Sequence, residues 1–249
     1  MEVEETRSLV DVSEEALAMP RAKHVSLTTK LAYRLTDLCK KLFGRQRTLR
    51  FFLRGSRLFW RFAFEISGEI YDSRFHNHAK ALSEDILKRH ILANGSVIDV
   101  GCGVGRWCRI ASKYADKVVG IDYSQSLIDE ARRRTQKENV TFLVGDVTTD
   151  LKNEKFDLAL LLHVIEHLDD ADRILQELKS VASKIIVEVP DFEQDSLNYV
   201  RLEQNLAFYS DGDHVREYTL DILQQQLERN DWRVVETFKN GGAVLAVAD

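Results

Sequence analysis

The spacing of apolar positions divides the chain into two kinds of segment. Leu31, Leu35, Leu38 and Leu42 recur at helical intervals, which predicts an amphipathic helix over residues 26–43, ended by Gly44. A second helix is predicted from about residue 46 to 64. In it Arg47, Arg50, Arg54, Arg57 and Arg61 fall at steps of three or four and share one stripe. Leu49, Phe52, Leu53, Phe59 and Trp60 take another face, and Phe51, Leu58 and Phe62 a third. Residues 66–77 read as a connector to a helix over 78–90, and Asn94-Gly95 is a turn signal.

From residue 96 the pattern changes to short apolar runs alternating with helical periods. Strands are predicted at 97–100, 118–121, 140–144, 156–161, 184–189, 232–237 and 243–247. Helices are predicted at 106–114, 124–137, 170–181 and 219–228. Such alternation implies an α/β fold, a parallel sheet doubly wound with helices on both faces. Residues 191–218 are too long for an ordinary crossover, and they contain no clear strand. Long insertions at the carboxyl end of such a sheet usually carry function, and this one is expected to cap a ligand crevice. Three segments follow: a disordered leader over 1–20, a basic helical extension over 21–75, and the main domain over 76–249.

Charge sharpens that division. The leader carries Glu2, Glu4, Glu5, Asp11, Glu14 and Glu15 and ends at Pro20. From Arg21 to Phe62 there are twelve Lys/Arg against one acid, Asp37. That segment is therefore +11 in a chain of net charge −5, which leaves −16 elsewhere. A segment so charged is expected to meet something anionic, a membrane surface or an anionic substrate, through the Arg47–Arg61 stripe. No nucleic-acid motif accompanies the stripe, so nucleic acid is not the expected partner. Cys39, Cys102 and Cys108 form no disulfide or zinc pattern, which favours a reducing compartment. With 44% hydrophobic and 30% charged residues, no signal peptide and no long apolar run, the chain reads as cytoplasmic, with a peripheral membrane position left open.

The candidate chemistry lies at the ends of the predicted strands. Asp99-Val-Gly101-Cys102-Gly103-Val-Gly105 follows the first strand and opens a helix. Strand, glycine turn and helix N-terminus make a cradle for a nucleotide-like ligand. The G-x-G-x-G spacing differs from the G-x-G-x-x-G dinucleotide fingerprint. Asp99 is placed to hold a ligand amine. Asp122 ends the second strand, where its two oxygens match a ribose diol. Asp146, in Gly145-Asp146-Val147, ends the third and can accept from an adenine amine, with Tyr123 and Val147 flanking the ring. The fourth ends in His163-Val-Ile-Glu166-His167-Leu168. Four strand tips around one glycine turn point to one adenosine-type site.

At these motifs the sequence resembles the class I S-adenosylmethionine-dependent methyltransferases, and the last segment resembles the small-molecule branch that includes ubiquinone- and menaquinone-pathway methyltransferases. The resemblance covers residues 78–249. It implies a Rossmann-like seven-stranded sheet with the last strand antiparallel, and S-adenosyl-L-methionine as cofactor. It assigns Asp122 to the ribose, Asp146 to the adenine, and the glycine loop (Gly101, Cys102, Gly103, Gly105) with Asp99 to the methionine half. It implies methyl transfer by in-line displacement, in which alignment and exclusion of water matter most. An oxygen on a small or lipid-like acceptor is favoured, because the Asn/Asp-Pro-Pro-aromatic motif of nucleobase and amide N-methyltransferases is missing.

A hydroxyl acceptor needs a base titrating near neutrality. His163, His167 and His214 are the candidates, and His163 also stands at the cofactor crevice. The His-x-x-Glu-His run matches an inverted zinc-protease signature, but it begins at a strand end inside a cofactor-binding domain. Some relatives hold a divalent ion through Glu-x-x-Glu-His here; His163 replaces the first acid, so no metal is expected. Two rivals remain: metal-assisted methylation of an RNA ribose, and a non-catalytic cofactor-binding scaffold held to a membrane.

Overall fold

The computed structural model describes residues 27–70, 82, 84–151, 153–206 and 212–249. The predicted leader and the expected boundary near residue 75 lie outside them. The chain divides into two compact units, Met1–Gly55 and Ser56–Asp249, with the division inside a helix. The first unit holds α1 (Leu27–Phe43) and the start of α2 (Arg45–Ile70). Gly44, at φ +81°, separates the two helices, a left-handed backbone that glycine adopts without strain. Residues 66–70 were expected to open a connector; instead α2 runs on through them. No Pro interrupts that stretch, and the lone Gly68 is tolerated inside the helix.

The second unit contains α3 (Glu84–His90), β1 (Ser96–Val100), α4 (Arg106–Ala111), β2 (Lys117–Asp122), α5 (Gln125–Arg134), β3 (Val140–Val144) and α6 (Val147–Asp150). It continues with β4 (Leu158–Leu162), α7 (Ala171–Leu178), β5 (Ile185–Pro190), α8 (Leu197–Glu203), α9 (Leu220–Arg229), β6 (Val234–Asn240) and β7 (Ala243–Ala248). The seven strands lie in the order β3-β2-β1-β4-β5-β7-β6. β7 runs antiparallel between β5 and β6, and the other paired neighbours are parallel. This is the Rossmann-like sheet expected, with the last strand antiparallel.

Both faces of the sheet are covered, as a parallel sheet requires. Along β4 the side chains alternate: Ala159 and Leu161 join Leu175, Leu223 and Trp232 on one face, while Leu158 and Leu160 join Leu87, Trp107 and Ile128 on the other. Several predicted ends shift by one to three residues, two of them for a visible reason. α4 stops at Ala111 rather than residue 114, where Ser112 turns its hydroxyl back onto the Arg109 carbonyl at 2.8 Å. β6 starts at Val234, because Trp232 is a core residue whose indole N–H donates to the Leu175 carbonyl at 2.9 Å. The 191–218 stretch does contain structure: a 3₁₀ turn at Phe192–Gln194 and α8, with 207–211 outside the described residues.

Candidate active site

The order of strands reverses between β1 and β4, which opens a crevice at their carboxyl ends. The glycine turn sits there. Its first two N–H groups, of Gly101 and Cys102, donate to the Ile121 carbonyl at 2.8 and 3.1 Å. A Cβ on Gly101 would stand 2.7 Å from Val164, and one on Gly105 would strike the Phe142 ring at 2.6 Å, so packing alone demands both glycines. Gly103 differs. At φ +52° it has nothing within 4 Å of a notional Cβ, so its bare backbone faces open space.

Asp122 is locked to this turn. Gly103 N–H donates to its Oδ2 at 2.9 Å and Ser124 N–H to its Oδ1 at 2.9 Å. Each carboxylate oxygen keeps a further lone pair. Together they border a hollow of about 480 Å³, within the range of small-molecule sites. Gly101, Gly103, Asp122, Tyr123, Val147, His163 and His167 all line it. Leu127, Val164, Leu168 and Ile174 give it apolar walls.

Other predicted residues lie behind that lining. Asp99 is buried and accepts from Cys108 Sγ at 3.2 Å. Cys102 is buried on the same side, and Gly105 packs on Phe142. Asp146 caps α6, accepting from Thr148 N–H at 2.8 Å. Burial raises the Asp146 pKa, but the Thr148 and Tyr123 hydrogen bonds outweigh it and hold the carboxyl below its usual value. Tyr123 moves the other way, raised by burial and by Asp146.

The three histidines occupy different surroundings. His163 has a left-handed backbone, φ +58°, immediately after β4. Its Nδ1 lies 3.1 Å from Glu166 Oε1 and its Nε2 3.0 Å from Glu188 Oε1. Both glutamates are fully buried. Burial pushes the imidazole down, yet the two carboxylates win and hold its pKa at about 9. A carboxylate beside each ring nitrogen thus favours the charged form of His163. The His214 side chain is 5% exposed, its Nδ1 3.0 Å from Glu217 Oε1. His167 lines the hollow with Nδ1 3.3 Å from Asp213 Oδ2, and its ring meets His214 edge to face at 4.7 Å. One donor atom each of Glu166, His167 and His214 lies within 4.8 Å of the others.

Glu188, Asp213 and Glu217 were not anticipated. Glu188 had a signal, a lone acid in the apolar run Ile185-Ile-Val-Glu-Val-Pro190. Asp213 had none, since a surface acid beside a histidine is ordinary. It arrives with the 191–218 insertion, whose return leg is tied down by Val215 N–H on the Glu166 carbonyl at 2.9 Å.

Residues 71–237 match a family model described as a methyltransferase domain. The chain belongs to that family. The class I S-adenosylmethionine-dependent assignment drawn from the motifs stands, and S-adenosyl-L-methionine is the cofactor that goes with it. Among similar proteins, a ubiquinone biosynthesis O-methyltransferase of Coxiella burnetii is 31% identical over 94 residues, 36% of this chain and 40% of that protein. An ajmaline N-methyltransferase of Rauvolfia serpentina is 34% identical over 94 residues, 35% of this chain and 32% of its own length. The chain thus spans two-fifths or less of these relatives. In fold it is similar to a SAM-dependent methyltransferase from Aquifex aeolicus, at TM-score 0.57 and 20% identity over 74% of this chain and 96% of the other. The residues suit the cofactor: Gly103 offers a backbone that no side chain screens, and Asp122 offers two oriented oxygens.

Proposed function

We propose that this methyltransferase transfers a methyl group to a hydroxyl of a small or lipid-like acceptor, with His167 as the general base. One observation carries the reading. A single hollow is lined by both the Asp122–Gly103 clamp and the His167–Asp213 pair.

When bound, S-adenosyl-L-methionine supplies an electrophilic methyl on a sulfonium centre. Asp122 orients a ribose diol, and the apolar wall of Leu127, Val164, Leu168 and Ile174 excludes water from the hollow. Asp213 Oδ2, 3.3 Å from one ring nitrogen of His167, fixes the orientation of the ring. The ring then accepts the acceptor's proton as the oxygen attacks in line. His163, clamped between Glu166 and Glu188, fixes the loop that presents His167.

A labelled-methyl assay over catechol, phenol and prenylated phenol acceptors tests this. His167→Gln should lower kcat by about 10²- to 10⁴-fold, the usual worth of a general base, with cofactor affinity kept. Unchanged kcat removes His167 from the reaction, and absence of cofactor binding by the native chain removes the whole reading.

A second reading rests on the Glu166–His167–His214 cluster. Carboxylates at one nitrogen of each imidazole, Asp213 and Glu217, set ring orientation as metal sites do. A divalent cation held there would act as a Lewis acid toward an acceptor oxygen. Activity abolished by a chelator and restored by Mg²⁺ or Zn²⁺ would favour it over the base, and RNA as the acceptor would be tried in the same assay.

A further inference from the structure

In the first unit, Leu53 apart, the large apolar side chains of the described residues stand partly or largely in water. Leu31, Leu35, Leu38 and Leu42 share one face of α1 and are 51–66% exposed. Lys30, Arg34 and Lys41 line one flank of that stripe. Asp37 pairs with Lys40 at 2.9 Å and also attracts Lys41, so one acid stands against the four bases of α1. The start of α2 repeats the pattern: Phe51 is 70% exposed, four residues after Arg47 and three before Arg54. Between residues 27 and 55 there are eight Lys/Arg against Asp37 alone.

Positive charge beside exposed aliphatic side chains fits a partner that is anionic at its surface and apolar beneath. We propose that this unit docks on the surface of an anionic lipid bilayer. The leucines of α1 enter the acyl boundary while Lys30, Arg34 and Lys41 meet lipid phosphates. No described helix is long and apolar enough to cross a membrane, so the contact is interfacial.

Two other partners fit less well. A second copy would use the leucine stripe as a coiled-coil seam, but α1 supplies only about two heptads where three or four are needed. In a parallel pair Arg34 would face Cys39 and Lys41 would face Gln46, and in an antiparallel pair the bases would face each other, so no acid answers them. RNA would satisfy the charge and leave the leucines in water, since bases stack on aromatic rings and not on leucine.

Flotation of the full chain with vesicles tests the proposal. Binding is expected to an equal mixture of phosphatidylcholine and phosphatidylglycerol, not to phosphatidylcholine alone, and it should weaken as salt rises. Arg34→Glu with Lys41→Glu should lower partition on the order of a hundredfold. Leu35→Ser with Leu38→Ser should lower it roughly tenfold per leucine. Both pairs are exposed, so an unchanged melting temperature confirms that the variants fold. Flotation that ignores lipid charge, or no flotation, overturns the proposal. So does a dimer that the leucine variant dissociates, or poly(U) binding indifferent to the leucines. Flotation only after removal of residues 1–26 would make the acidic leader the occupant of this face, and would overturn it as well.

Discussion

Leucine fills both units of this chain, in opposite surroundings. Leu158, Leu160 and Leu161 of β4 are wholly buried, and the two sides of the sheet share them. Leu31, Leu35, Leu38 and Leu42 of α1 keep more than half of their surface in water. Both sets are regularly spaced, one at period two and one at the helical period. Periodicity therefore tells which side chains share a face, and says nothing of what covers that face. In the sheet the chain supplies its own cover, because strands and helices alternate and every face finds a neighbour. The described residues of the first unit are α1 and the start of α2, with no strand among them.

The sharpest way to break this contrast is a truncation on each side. Leu160→Ala should cost about 3 kcal/mol in denaturant unfolding, since a cavity opens where the wall cannot collapse. An equal loss from Leu38→Ala would mean that α1 is covered after all. Next in size is Asp122→Ala, which should weaken cofactor binding by about 1–3 kcal/mol, a ten- to hundredfold change in Kd by calorimetry. Asp122→Asn, which keeps two of the acceptor lone pairs, should fall between. Unchanged affinity would contradict the ribose role. Neither change should alter the first unit.

The same contrast explains what was readable in advance. The sheet could be read because Val97–Val100, Val118–Ile121 and Ala243–Val247 are apolar runs bounded by glycines or charge, and each finds its place by burial. The glycine turn and the place of Asp122 at the end of β2 could be read because a tight turn and a strand end each constrain residue type at a fixed spacing. The proton chemistry was not readable. Three histidines stood as equal candidates, and only the fold separates them, since Glu188 reaches His163 from β5 and Asp213 reaches His167 from the insertion. Contacts between residues 25 or more apart in sequence leave no local pattern. Asp99, which a strand-end position suggested for a ligand, turns inward to Cys108 across the glycine turn, a nearer contact that no periodicity marks.

Asp172 gives the smallest and most specific test, because it ties two helices that the sequence reading could not pair. From the first turn of α7 its carboxylate receives Gln226 Nε2 at 3.0 Å, Asn230 Nδ2 at 2.6 Å and Arg229 Nη2 at 2.9 Å, all from the end of α9. Burial raises its pKa, but Arg229, Asn230 and Gln226 outweigh that and hold it below the ordinary 3.8. A depressed carboxylate stabilises the fold fully above its ordinary value, and that stabilisation is lost as pH falls through the lowered one. Two-fifths of the side chain is exposed, so solvent screens the Arg229 pair and the loss should be about 1 kcal/mol. Asp172→Ala should thus unfold at lower denaturant than the native chain at neutral pH, and the two should converge as the solution is made strongly acid. A gap that persists unchanged into acid would show that the residue acts through packing alone. No such pH-linked gap should arise from Leu38→Ala, because nothing titrates on the stripe it occupies.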